Sequence, residues 1–230
     1  MQIKNSRNTA FAGLLESKGK ELLLDANIFI PPDRSSSFSQ YHPLSFIDYC
    51  EIWLTPLFNT FTGVAIHSAV YQEIVKIEQK AFVDQLIKDN KLAVVNDSML
   101  DSREKTFRDT IETKLIHTGL LFYDSQQNNK KDRGEVKTLS YAAAKGIHLF
   151  STYDHVPVEL VTHSEKLQTG LDSISIIYGF ELIHALTKLP NSNKSGLRKL
   201  YKDLYYFSPQ EKKSNPNWEF FLKLLDSFYC

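Results

Sequence analysis

Cysteine is nearly missing from this chain. There are two, Cys50 beside an aromatic run and Cys230 at the last position, which excludes a disulfide scaffold and suits a reducing compartment with free thiols. The seven histidines show no HxxxH, HExxH or Cys-paired spacing, so a zinc site has little to stand on. No run of about 18 apolar residues occurs, and none of signal-peptide length follows the basic start Met1 to Asn8. The expectation is a protein neither secreted nor membrane-spanning, located in the cytoplasm. Neither sign of charge is in excess: 27 Lys and Arg face 27 Asp and Glu, so no chain-wide positive field announces a polyanionic partner, and any nucleic-acid contact has to be local. A P-loop glycine pattern and a GxSxG elbow are absent as well, which removes the simplest nucleotide-hydrolase and serine-hydrolase readings.

What is present is enough chain, 230 residues, for one α/β domain with a smaller extension. Leu22-Leu23-Leu24-Asp25 opens an apolar run that closes at Pro31-Pro32. A segment apolar on both faces suits a central parallel strand, with Asp25 at its carboxyl end. A Ser-rich loop from Asp33 to His42 follows, then an aromatic helical segment from Leu44 to Phe58 that should end near Pro56 and could serve as a lid or partner surface. Gly63 to His67 reads as a second strand, with Ser68 capping a helix on which Val70, Ile74 and Ile77 form an apolar stripe and Glu73 lies at its border. Leu92 to Val95 reads as a third strand, and Asp101 to His117 as a long helix with a solvated face, stopped by Gly119. A polar surface loop, Ser125 to Lys131, leads to a helix that starts around Asp132-Arg133-Gly134-Glu135 and ends at Gly146. Ile147 to Ser151 is a further buried strand, delivering Thr152-Tyr153-Asp154. Ser173 to Tyr178 is β-prone, Phe180 to Lys188 is helical, and Pro190 to Asn193 marks a boundary. This alternation predicts a three-layer α/β/α sandwich with a central parallel sheet over residues 1–190, and a helical C-terminal extension over 191–230.

Ligands of open parallel sheets bind at the carboxyl ends of the strands, where Asp25 and Asp154 should lie. Glu73 and Glu135 should approach the same edge. Carboxylates gathered there repel one another and call for a cation, and an all-oxygen ligand set points to Mg²⁺ or Mn²⁺.

In order and local context these motifs resemble the PIN-domain nuclease family over roughly 20–188. Leu24-Asp25-Ala26-Asn27 is similar to its opening motif, Val70-Tyr71-Gln72-Glu73-Ile74 to its second, and Thr152-Tyr153-Asp154 to its closing Thr-x-Asp. Asp132-Arg133-Gly134-Glu135 resembles an Asp-x-Gly-Glu variant, in which Glu135 matches by its spacing to the following alanines and Asp132 is an additional candidate. The resemblance implies metal-dependent hydrolysis of phosphodiester bonds, usually of RNA, as in VapC-type toxins, whose partner is an antitoxin, and RNA-processing enzymes. It implies Asp25, Glu73, Glu135 and Asp154 as metal-binding acids, Asp132 as a further catalytic candidate, and Asn27 and Thr152 in support. A DNA flap or single-strand nuclease and an inactive protein-binding module are the alternatives.

Each residue also has a plainer reading. Asp132 and Glu135 fit a capping box, Glu73 a solvated helix position, and Asp154 a turn before Pro157. His155 is the one histidine beside the acids. In the extension, Lys194, Arg198, Lys199 and Lys202 alternate with Tyr201, Tyr205, Tyr206 and Phe207 in a pattern that could stack on single-stranded nucleic acid. Two helical stripes there, Leu197, Leu200, Tyr201, Leu204 and Tyr205, then Trp218, Phe221, Leu222, Leu225 and Phe228, favour docking instead.

Overall fold

The computed structural model describes residue 3 and residues 6–33, 43–123, 131–206 and 208–230. Most of the Ser-rich loop, the polar tract before Lys131, and Phe207 lie outside them. Helix α1 (Thr9–Glu16) is capped by Asn8, whose carboxamide oxygen accepts from the backbone N–H groups of Ala10 and Phe11. Strand β1 (Leu22–Leu24) is buried throughout and turns at Asp25 into a 3-10 segment, Ala26–Phe29.

Next come α2 (Phe46–Tyr49), a π turn (Cys50–Leu54) and α3 (Thr55–Thr60), which run on as one helix. The expected stop at Pro56 does not occur. Within the π turn the Thr55 N–H already reaches back to Cys50, so a residue without an N–H is tolerated at the start of the α-helical turn that follows. Nor is this segment a lid: Tyr49, Trp53, Leu54, Leu57 and Phe58 are buried in the core.

Strand β2 (Val64–His67) leads to α4 (Ser68–Glu73) and α5 (Ile77–Lys88). The cap of α4 is His67 rather than Ser68, its Nδ1 accepting from the Ala69 N–H at 3.1 Å. Ile74 is extended and breaks the helix, so the apolar stripe does not carry on, and Ile77 is 88% exposed. Strand β3 (Ala93–Val95) is followed by α6 (Ser102–His117), α7 (Arg133–Lys145), β4 (Leu149–Thr152), α8 (His155–Thr162), α9 (Ser164–Leu167), β5 (Ser175–Tyr178) and α10 (Gly179–Thr187). Three helices complete the chain: α11 (Lys194–Tyr205), α12 (Pro209–Ser214) and α13 (Trp218–Tyr229).

All five strands are parallel, in the order β3-β2-β1-β4-β5. Helix α7 packs on β2, α4 and α6, whereas α10 packs beside β5, α3, α11 and α13. The molecule is a three-layer α/β/α sandwich, as the alternation of strands and helices predicted.

The chain moves outward from β1 through β2 to β3, then returns to the other side of β1 for β4. The β1/β4 junction is therefore the point at which the strand order reverses, where ligand crevices form in such sheets. Residues beyond Pro190 share the core of the sheet domain, since Leu197, Leu200, Tyr201, Tyr205, Phe221 and Leu225 join the same buried cluster as β1. With Tyr201 and Tyr205 buried, Arg198 paired with Glu219 and Lys199 with Asp203, the aromatic and basic residues of α11 form no stacking strip. Among the described residues no helix is long and apolar enough to cross a membrane.

Candidate active site

Register places the first components. Leu24 pairs with Ser151 across β1 and β4, and the Asp25 N–H continues the ladder to the Ser151 carbonyl at 3.0 Å. Asp25 and Thr152 are consequently neighbours, and the Thr152 hydroxyl donates to Asp25 Oδ2 at 2.7 Å. Asn27, on the 3-10 segment, donates from Nδ2 to the same oxygen at 2.8 Å and to Thr152 Oγ1 at 2.9 Å, while its Oδ1 accepts from the Tyr153 N–H. Thr152 Oγ1 also accepts from the Asp154 N–H at 3.0 Å. The 3-10 segment is pinned from the other side by Tyr49 Oη and Trp53 Nε1, which both donate to the Ile28 carbonyl, at 2.8 and 3.2 Å.

Three carboxylates converge here. Asp25, Glu135 and Asp154 offer oxygen atoms that lie within 4.8 Å of one another, and they grade from buried through half-buried to exposed. Glu73 lies alongside, at the end of α4, where its Oε1 accepts from the Gly134 N–H at 2.7 Å. A side chain at 134 would overlap the Glu73 carboxylate, so glycine is what lets the start of α7 close onto α4. Arg133 donates to Gln72 at 2.8 Å across the same junction.

Asp132 does not join the cluster. It precedes α7 with a left-handed backbone, φ 58°, and makes no side-chain cap. Its Oδ2 accepts from the Phe122 N–H at 2.8 Å instead. The capping-box reading of Asp132 and Glu135 therefore fails, because Glu135 is turned to the acids and Asp132 to the preceding segment. Asp154 occupies the cap position of α8 without a side-chain bond to it. His155 is exposed beyond it.

The electrostatics are those of uncompensated charge. Burial pushes the Asp25 carboxyl up to about 7, with repulsion from Asp154 and Glu73 adding to it and the bonds from Thr152 and Ala26 opposing it. Glu135 is pushed up to about 8, by burial first and then by Asp25, Glu73 and Asp132. Glu73 is raised by burial, against the Gly134 N–H and the nearby Arg133. Among the described residues, none of Asp25, Glu73, Glu135 and Asp154 makes an ion pair with Lys or Arg.

No protein-family model, curated protein or solved structure matches this chain. What the site can do is thus argued from its own geometry.

Two further groups are assembled by tertiary packing. His184, Asp226 and Cys230 also come within 4.8 Å, but Lys188 is ion-paired with Asp226 and His184 Nε2 lies 2.6 Å from it, so this group carries its own positive charge. Beside the acids, Arg108 and Glu112 of α6 are largely buried rather than on a solvated face. They join Asp97, His67 and Lys137 in a charge network that fastens α6 to α7. Arg108 and Glu112 sit at i,i+4 on α6, a spacing readable from the sequence; their partners on other elements are not.

Proposed function

We propose that this protein is a divalent-cation-dependent nuclease, a hydrolase of phosphodiester bonds whose first substrate is RNA. The observation that supports it most is the meeting of Asp25, Glu135 and Asp154 within 4.8 Å at the strand-order reversal, with no basic side chain paired to them among the described residues. Oxygen ligands of one Mg²⁺ sit no more than about 4.2 Å apart, twice the usual bond length. Small side-chain movements bring these three into that range. The donor set is all carboxylate, which suits Mg²⁺ or Mn²⁺ and disfavours softer ions.

In this reading Asp25, Glu135 and Asp154 hold the ion. Glu73 fixes the start of α7 through its bond from the Gly134 N–H, and so the position of Glu135, and its second oxygen would orient a water. Asn27 and Thr152 hold Asp25 in one rotamer and keep it anionic by donating to it. A bound divalent cation would lower the pKa of a water and offset charge on the phosphoryl oxygens. The motif resemblance to PIN-domain nucleases points the same way. The free cysteines, Cys50 and Cys230, fit a cytoplasmic setting, and in a toxin-type role the acidic crevice would be the surface an antitoxin covers.

The same chemistry cleaves DNA, and no group at the site is placed to read a 2′-hydroxyl. Matched RNA and DNA oligonucleotides, each with Mg²⁺ or Mn²⁺ and with a chelator, are therefore the test. Metal-dependent RNA cleavage that disappears in Asp25→Asn is expected. Cleavage that persists in that variant and under chelation would sink the proposal, and cleavage of DNA alone would correct the substrate.

A further inference from the structure

Arg133 differs from the cations of the neighbouring network. Arg108 and Lys137 are taken up by the carboxylates of Asp97 and Glu112, whereas Arg133 makes no ion pair among the described residues. The bond that holds it is to a neutral group, Nη1 donating to Gln72 Oε1 at 2.8 Å. A guanidinium has five N–H donors, so most of this one is left for another acceptor, and the side chain is only half-buried. Two adjacent bonds fix where it sits. Residues 133 and 134 bond to residues 72 and 73, the Gly134 N–H reaching Glu73 Oε1 at 2.7 Å. The guanidinium therefore lies at the rim of the acid cluster, with its charge close enough to oppose the rise of the Glu73 carboxyl.

The acids alone receive a polyanion poorly. Once ionised around one divalent cation, Asp25, Glu73, Glu135 and Asp154 still outnumber its charge, and a polynucleotide adds a negative charge with every phosphate it lays along the crevice. A strand needs a further positive group at the rim, and an isolated phosphodiester does not. A guanidinium supplies one with parallel N–H groups that match two phosphate oxygens. We infer that Arg133 binds a backbone phosphate flanking the one hydrolysed at the acid cluster, so that the site selects a polynucleotide strand over an isolated diester. Gln72 holds the guanidinium in place for that contact. This rests on the nuclease reading above, and the test separates the two.

Two substrates are compared with Mn²⁺: bis(p-nitrophenyl) phosphate, which has no flanking phosphate, and a single-stranded RNA oligonucleotide, followed over a range of KCl concentrations. The wild-type protein should hydrolyse both. In Arg133→Gln the ratio of kcat/KM for RNA to that for the small diester should fall about tenfold, the low end of what a charge-assisted hydrogen bond contributes, with the loss carried by KM. The slope of log KM for RNA against log salt should flatten by about 0.7, as expected when one phosphate contact to a single strand is lost. That slope decides even where the small diester is turned over too slowly to compare. Arg133→Lys keeps the charge and should keep the slope, and Gln72→Leu, which releases the guanidinium without removing it, should lower the ratio less than Arg133→Gln does. Equal losses on both substrates with an unchanged slope would make Arg133 a strut between α4 and α7, overturning this inference and leaving the nuclease reading intact. An RNA KM and slope unmoved by Arg133→Gln would overturn it equally. No hydrolysis of either substrate by the wild-type protein would overturn both.

Discussion

Two groups of charged side chains stand at the same carboxyl edge of the sheet and solve burial in opposite ways. Around β3 and α6, Asp97 and Glu112 are matched by Arg108 and Lys137, with His67 Nε2 facing Asp97. Glu112 lies 3.0 Å from Arg108 and 2.7 Å from Lys137, and Asp97 lies 3.4 Å from both Arg108 and His67. Although burial alone would raise Asp97, those neighbours outweigh it and hold the carboxyl below its ordinary range. Around β1 and β4, Asp25 and Glu73 accept from neutral donors, none of Asp25, Glu73, Glu135 and Asp154 is ion-paired with Lys or Arg among the described residues, and Asp25, Glu73 and Glu135 are raised. A network that balances itself asks for nothing further and serves to join helices. A cluster left unbalanced at a crevice is, on the nuclease reading proposed above, completed by a cation.

The difference predicts opposite signs for removing one charge. Asp25→Asn should lower metal-dependent cleavage on the order of a hundredfold or more, while the metal-free variant melts above wild type at pH 8, because an uncompensated buried charge is gone. Paired activity and melting measurements check both, and a lower melting temperature for the metal-free variant would break the comparison. Glu112→Gln should do the reverse. Arg108 and Lys137 would lose their shared carboxylate in a largely buried place, at a cost of roughly 1–3 kcal/mol, seen as a fall of roughly 2–4 °C per kcal/mol in melting temperature. Cleavage per folded molecule should stay near wild type. A loss of activity larger than the loss of folded protein would show that the network does more than hold α6 to α7.

How far these groups could be seen in the sequence follows from how far apart their partners lie. Asp25 and Asp154 were readable because each ends a buried apolar strand, and the β1/β4 register then makes Thr152 a neighbour of Asp25. Between Asp132 and Glu135 the motif spacing favours Glu135, but where Asp132 goes was not readable. It depends on Asp132 adopting a left-handed backbone and bonding to Phe122, which no local pattern encodes. The apolar stripe through Ile77 misled because the break at Ile74 resets the helical phase. Tyr49 and Trp53 looked like surface or lid residues, since their bonds to the Ile28 carbonyl span more than twenty residues of chain. The buried network behind α7 was hidden for the same reason: the i,i+4 pair Arg108 and Glu112 was in plain view, but Lys137 and His67 approach it only through tertiary packing.

Titration of the metal-free protein gives the next effect in size. Asp25 and Glu135 hold their protons to about 7 and about 8 when folded, against about 4 for free carboxyl groups. Between those limits the folded state carries more protons than the unfolded chain, so raising the pH draws protons from the native state and stability falls through the window from about pH 4 to 8. The expected result is a melting temperature several degrees lower at pH 8 than at pH 5. Mg²⁺ or Mn²⁺ should recover most of that at pH 8 and little at pH 5, where protons occupy the site. A flat profile, or equal gain from the metal at both pH values, would remove the unbalanced cluster from the comparison. Asp97 contributes with the opposite sign, its lowered value giving stability that is lost as pH falls below the usual carboxylate range.

The smallest change tests whether neutral donors can tune what they do not neutralise. Thr152 donates to Asp25 Oδ2 at 2.7 Å, and this bond favours the charged carboxylate. Thr152→Val keeps the shape of the side chain, at a fully buried position, and removes the donor. Asp25 should then hold its proton to a higher pH, so a metal ion must displace that proton more often. Apparent affinity for Mn²⁺ at pH 7 should fall by about tenfold, the scale seen when a group supporting a metal ligand is lost. The pH of half-maximal binding should move upward, and the loss should shrink toward pH 9, where Asp25 is ionised in both proteins. A uniform loss at every pH would instead mean that Thr152 only positions Asp25. That outcome would confine the tuning of the cluster to its own repulsion, leaving the cation as the one agent able to settle it.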